Sequence, residues 1–128
     1  HIQFAFVHAL GSAALHFDRV VPRMKLAAPY VIKSLDIAKH FGKEMVTEAI
    51  PYCMLPGYEY CIAEDSMPVM KIFEHNHIIE NFTDARLKES KAKGPDCSAC
   101  RYYQRCEGLW KEYPEAFGWK ECVPVSPD

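Results

Sequence analysis

Cys97-Ser98-Ala99-Cys100, followed by Cys106, places three thiols at a C-x2-C-x5-C spacing near the C-terminal end of the chain. Thiolates so close in sequence can ligate one metal centre, because the first pair brackets a tight turn whose main-chain amides can point at a bound sulfur. A tetrahedral zinc site takes four ligands, as does a fully protein-bound [4Fe-4S] cluster, so a fourth group must come from farther away. The remaining thiols are Cys53, Cys61 and Cys122. A zinc ribbon would carry a second C-x2-C, and none occurs. Cys61, between Tyr60 and Ile62, reads instead as a small core residue.

Two polar residues on otherwise apolar stretches form a second constellation. Ile2 to Leu10 is nearly continuous in apolar residues, interrupted at His8, which predicts a strand covered on both faces and ended by Gly11 and Ser12. Pro29 opens a helical pattern in Val31, Ile32, Leu35, Ala38 and Phe41, closed by Lys39, His40 and a Gly42 cap. Met45 to Ile50 predicts a second strand, making one right-handed βαβ crossover. Residues near the C-terminal ends of parallel strands face the site in barrels, so His8 and Glu48 are candidate catalytic residues. The plainer alternative is that neighbouring polar groups satisfy both.

Beyond Tyr52 the pattern is less regular. Pro56-Gly57 marks a turn, and Ile72-Phe73 and Ile78-Ile79 read as short strands or helical turns. The charged run from Thr83 to Lys93 reads as a solvated helix face or linker. His75-Asn76-His77 lacks the further ligands that would make it a metal site. Tyr102, Tyr103, Trp110, Tyr113, Phe117 and Trp119 suit an apolar shell around a metal.

Composition narrows the function classes. Fifteen Lys and Arg against 17 Asp and Glu give a net charge of −2, without the basic excess of a nucleic-acid module. With 49% apolar residues the chain can bury a core, yet no run approaches the roughly 20 apolar residues that cross a bilayer. The six cysteines in 128 residues are too sparse for a disulfide scaffold. Without an export signal a reducing, cytoplasmic setting is expected. The opening residues read as an interior strand, which predicts a piece of a longer protein.

Gly94-Pro95-x-Cys97-x2-Cys100-Arg101-Tyr102-Tyr103-x2-Cys106-Glu107-Gly108-x-Trp110-Lys111-Glu112-Tyr113-Pro114-Glu115, then Phe117-Gly118-Trp119, resembles the C-terminal end of radical S-adenosylmethionine (radical SAM) iron-sulfur oxidoreductases. Ile50-Pro51-Tyr52-Cys53 and Leu55-Pro56-Gly57-Tyr58-Glu59 resemble the segment that leaves the last barrel strands in those proteins. The resemblance implies an α/β fold, the C-terminal βαβ portion of a partial TIM-type barrel followed by an irregular, Cys-rich extension. Residues 1–52 would be the last βαβ unit, 53–93 a connecting segment and 94–128 the auxiliary cluster segment. It implies an auxiliary [4Fe-4S] cluster on Cys97, Cys100, Cys106 and a fourth thiol. Cys53, at the mouth of a barrel strand, is preferred, and Cys122, resembling the late cysteine of SPASM extensions, is the alternative.

The chain departs from the family in two ways. The C-x3-C-x2-C that holds the catalytic cluster and S-adenosylmethionine is absent, so these two cofactors would belong to the full-length protein and this chain alone should be inactive. Trp110 stands where a SPASM pattern has its next Cys, which leaves room for one auxiliary cluster, as in twitch-like extensions. The substrate, a peptide or small molecule, is not named by these residues. From a different class comes the alternative of a small zinc-stabilised interaction domain; a metal-free folded remnant is a third reading. A lone βαβ unit would leave Phe4, Phe6, Val7, Val46 and Ile50 poorly covered, which predicts a homo-oligomer.

Overall fold

Alternating apolar residues in β1 (Ile2–Ala5) turn one face inward, and the chain then forms two single turns, α1 (Ser12–Leu15) and α2 (Phe17–Val20), before the long helix α3 (Met24–His40) and β2 (Met45–Glu48). This computed structural model describes residues 1–126. β1 and β2 pair in parallel, with Ile2 opposite Met45 and Ala5 opposite Glu48, so the expected βαβ crossover is present. The first strand is shorter than its apolar run. The Phe6 N–H still reaches the Glu48 carbonyl at 2.9 Å. Ala49 then adopts a φ of 58° and turns the neighbouring chain away, so Val7 to Leu10 have no ladder to join.

Helix α3 begins five residues before Pro29, which lies in its interior and leaves the Lys25 carbonyl without its helical donor. Arg23, at the N-cap, makes no side-chain bond to the first amides of the helix. The first turn is capped from the far end of the chain instead. Tyr113 Oη accepts the Met24 N–H at 2.7 Å, and Glu121 Oε2 accepts the Lys25 N–H at 3.3 Å. A carboxylate at a helix N-terminus also meets the positive end of the helix dipole. Burial would push the Glu121 carboxyl up, but hydrogen bonds from Tyr113, Arg23 and Lys25 outweigh it and hold the group below its ordinary value. Tyr113→Phe leaves the buried Met24 N–H without an acceptor, at a cost of about 1–3 kcal/mol. A lowered denaturant midpoint with unchanged slope would register that loss.

The outer edge of β2 is occupied, through a parallel bridge from Thr47 to Ile62. Thr47 is fully buried, and its hydroxyl donates to the Cys61 carbonyl at 3.4 Å. Among the described residues nothing pairs with the other edge of β1. One apolar cluster joins Phe6, Leu35 and Ile50 to Leu55 and Tyr58 and to Leu109 and Tyr113. All three sequence segments therefore contribute to a single core. Phe6 and Ile50 are already buried in it, which corrects the expectation that they lie bare; Phe4, Val7 and Val46 remain half-buried.

After β2 come single 3-10 turns at Tyr52–Met54, Glu59–Cys61 and Ala63–Asp65. The antiparallel strands β3 (Ile72–Phe73) and β4 (Ile78–Ile79) follow, with the His75-Asn76-His77 tip exposed. Next are α4 (Phe82–Ala85), a π turn at Arg86–Ser90, and the antiparallel pair β5 (Lys91–Ala92) and β6 (Leu109–Trp110), closed by α5 (Glu112–Phe117). The run from Thr83 to Lys93 is not wholly solvated, because Arg86 and Lys91 are each only 4% exposed. Arg86 donates twice to the Glu107 carboxylate, at 2.9 and 2.5 Å. Lys91 Nζ lies 3.9 Å from Glu64 Oε1, an ion pair without a hydrogen bond, and 3.9 Å from the centre of the Trp110 ring. Burial lowers the Lys91 ammonium and raises the Glu64 carboxyl relative to their ordinary values. Two cations thus sit beside two carboxylates under the surface. Among the described residues no helix is long and apolar enough to cross a membrane.

Candidate metal centre

The β5–β6 ladder clamps both ends of the cysteine loop, pairing Ala92 with Leu109. Inside the loop, Pro95–Ala99 forms a 3-10 turn, and the Cys100 N–H bonds back to the Cys97 carbonyl at 3.0 Å. These short-range bonds bring the thiols of Cys97, Cys100 and Cys106 to one shared cavity. Cys53 and Cys122 line the same cavity, so five cysteines share it. The rest of the wall is largely apolar, with Pro51, Leu109, Trp119, Val123 and Pro124.

Three of the five sulfurs accept a main-chain N–H. Gly94 donates to Cys97 Sγ at 3.3 Å, Gly108 to Cys106 Sγ at 3.4 Å and Val125 to Cys100 Sγ at 3.4 Å. Burial pushes the Cys106 thiol up, while the Gly108 and Tyr52 amides pull it back. The Cys122 side chain, and then burial, raise the Cys53 thiol well above its ordinary value.

Each segment is held at the cavity by an identifiable contact. Cys53 rides on the turn that follows β2, where Tyr52 stacks on Tyr102 with ring centres 4.4 Å apart. The Tyr52 hydroxyl donates to Asp65, which also receives Arg105. Cys122 follows Trp119, whose ring lies against Gly94 so closely that a Cβ there would come within 2.7 Å of it. The Arg101 N–H reaches the Val125 carbonyl at 2.9 Å and ties down the last described residues.

Gly108 has a φ of +86°, and a Cβ on it would lie 2.1 Å from the Ala92 carbonyl oxygen. Gly108→Ala should therefore cost about 2–3 kcal/mol through backbone strain and overpacking. It should also withdraw the N–H from Cys106. Chemical denaturation of the metal-free variant checks the first effect.

Sequence-predicted residues are distributed unevenly around this site. Cys97, Cys100 and Cys106 come together as expected, and both alternatives for the fourth ligand, Cys53 and Cys122, arrive beside them. Cys61 is buried away from the cavity. His8 and Glu48 do not line it and have different partners. His8 stacks on Trp110, with ring centres 3.9 Å apart and planes 5° from parallel, and its Nε2 lies 3.4 Å from Glu112 Oε2. Glu48 accepts from Gln3 Nε2 at 2.8 Å. Of the expected aromatic shell, Tyr103 and Trp119 line the cavity. Trp110 lies between His8 and Lys91, and Tyr113 and Phe117 pack toward Phe6 and Phe17.

Lys93 was not anticipated. It is the one charged residue in the cavity wall among the described residues, with its Nζ donating to the Tyr103 carbonyl at 2.6 Å. Nothing in its sequence neighbourhood separates it from the other lysines of the charged run.

The donor set is all thiol, which suits soft metals and iron-sulfur clusters. Among the described residues no three His, Cys, Asp or Glu side chains converge on a point that would hold a single metal ion. The five sulfurs line one cavity. Comparison of the chain with protein-family models, characterised proteins and solved structures gives no match.

Proposed function

We propose that the chain is the C-terminal part of a radical SAM iron-sulfur oxidoreductase and binds an auxiliary [4Fe-4S] cluster through Cys97, Cys100, Cys106 and Cys53, with Cys122 as the alternative fourth ligand. The observation that carries this reading is the cavity shared by five thiols, three of them already receiving main-chain N–H bonds. Bound there, the cluster would supply electron transfer or a docking point for substrate. The chain's own residues do the rest. The amides of Gly94, Gly108 and Val125 and the Lys93 ammonium offset the negative charge of the bound thiolates, and the apolar wall limits water.

The sheet supports the partial-barrel element of this reading. Parallel sheets are covered on both faces and rarely consist of two strands. Ile62 closes the β2 edge while the β1 edge is open, so earlier barrel strands would add beside β1. In an isolated chain the same edge, with half-buried Phe4 and Val7, would pair with a second copy. His8 and Glu48 follow and end the two strands, the positions from which barrel residues face a substrate, here a peptide or small molecule. The cell compartment proposed is the reducing cytoplasm.

The all-thiol donor set also supports a second reading, a zinc-stabilised interaction domain. Zinc would require four sulfurs to close to about 2.3 Å from one point. Anaerobic reconstitution with iron and sulfide separates the two. A broad visible absorption band that bleaches on reduction is the expected result, and tight zinc binding with no iron uptake would favour the second. The reconstituted, reduced chain should yield no deoxyadenosine from S-adenosylmethionine, because it has no C-x3-C-x2-C; turnover would overturn the assignment of that step to another part of the protein.

A further inference from the structure

Helix α3 is apolar on two sides. Met24, Ala28, Leu35 and Ala38 are buried in the core, as an amphipathic helix requires. On the far side of the helix Leu26, Tyr30, Ile37 and Phe41 are between 61% and 72% exposed. At 3.6 residues per turn these four fall on one stripe, with Phe41 held on the last turn by its N–H to the Ile37 carbonyl at 3.1 Å. A contiguous row of large apolar side chains facing water marks an interaction surface.

The spacing of the stripe indicates what covers it. Its intervals of four, seven and four residues read the same in both directions. A second α3 laid antiparallel along it therefore sets Leu26 against Phe41 and Tyr30 against Ile37, twice over. At the centre of that register Lys33 meets Ser34 and not its own copy. The Ser34 hydroxyl is already turned back on its own helix, donating to the Tyr30 carbonyl at 2.8 Å, so it loses no partner when covered. Covering the stripe on both copies removes on the order of 1,000 Å² from water, about what a specific interface needs.

We propose that the outer face of α3 is a dimer interface, packed antiparallel on α3 of a second copy of this chain about a two-fold axis between Lys33 and Ser34. Such a contact uses the same patch on both copies and closes on itself. It is distinct from the open β1 edge. Ile37 and Phe41 border the groove beside Ile2 and Phe4 on that edge, but Leu26 and Tyr30 lie outside it. This inference rests on the helix alone and not on which metal group fills the thiol cavity.

The test is sedimentation equilibrium of the full chain, reduced and metal-free, at micromolar concentrations. The expected mass is twice the 14.7 kDa of one chain. Tyr30→Lys and Ile37→Glu should each weaken association by about tenfold or more, since each places an unpaired charge in the covered stripe. Both side chains are exposed in the single chain, so far-UV circular dichroism should not change. With both substitutions in one chain, opposite charges meet across the axis, and association should be tighter than in either single variant. A monomeric wild type would overturn the proposal. So would a Tyr30→Lys variant that dimerises like the wild type, the result expected if the β1 edge alone pairs, or a double variant no tighter than the singles. Zinc in place of iron in reconstitution would count against the cluster reading and leave these masses unchanged.

Discussion

Cys97→Ser, Cys100→Ser and Cys106→Ser should each abolish iron-sulfur uptake by the reconstituted chain, read as loss of the visible band and of bound iron. Each substitution removes a sulfur that lines the cavity and already accepts a main-chain N–H. The loss should exceed the roughly 10–100-fold penalty that follows from disturbing a partner one shell farther out. Cys61→Ala is the internal control. That thiol is buried away from the cavity, so uptake should persist even though stability falls by the cost of a trimmed core side chain. Cys53→Ser should lose more uptake than Cys122→Ser, since Cys53 sits on a turn fixed by the Tyr52–Tyr102 stack and the Asp65 contact. Equal, full uptake in both variants would show that neither is the fourth ligand.

Arg86→Met should destabilise the chain by about 3–5 kcal/mol, because removing one member of a buried ion pair strands the charge of the other. The side chains of Arg86 and Glu107 are 3% and 8% exposed, and the guanidinium makes two hydrogen bonds to the carboxylate. Glu107 is next to Cys106 in the chain, so its unpaired charge would also disturb the loop that carries a thiol. Exchanging both partners, Arg86→Met with Glu107→Leu, should recover most of the loss, since an apolar pair of similar volume avoids the desolvation penalty. Thermal unfolding of the two variants beside the wild type gives the comparison. A single variant as stable as wild type would mean that water or Lys91 compensates for the missing guanidinium.

These two experiments probe features that differ in how far local sequence reveals them. The loop thiols were legible because their grouping depends on short-range turns and on a spacing that repeats the geometry of a ligand set. The crossover was legible for a similar reason: apolar periodicity in α3 and two apolar runs record which faces are buried. The start of α3 was not, since its cap comes from Tyr113 and Glu121 across the fold and no local residue signals it. Pairing across the fold also hid the burial of Arg86 and Lys91, whose neighbours in sequence look like those of any solvated charged run. Choosing between Cys53 and Cys122 was beyond local pattern for the opposite reason. The fold delivers both to the same wall.

Metal analysis of the chain isolated anaerobically from cells supplied with both iron and zinc decides whether the thiol cavity is a cluster site. Iron and acid-labile sulfide should appear together at about four of each per chain, and both should vanish in Cys100→Ser. One zinc per chain with no sulfide, retained through purification, would contradict the cluster and leave a structural zinc domain in its place.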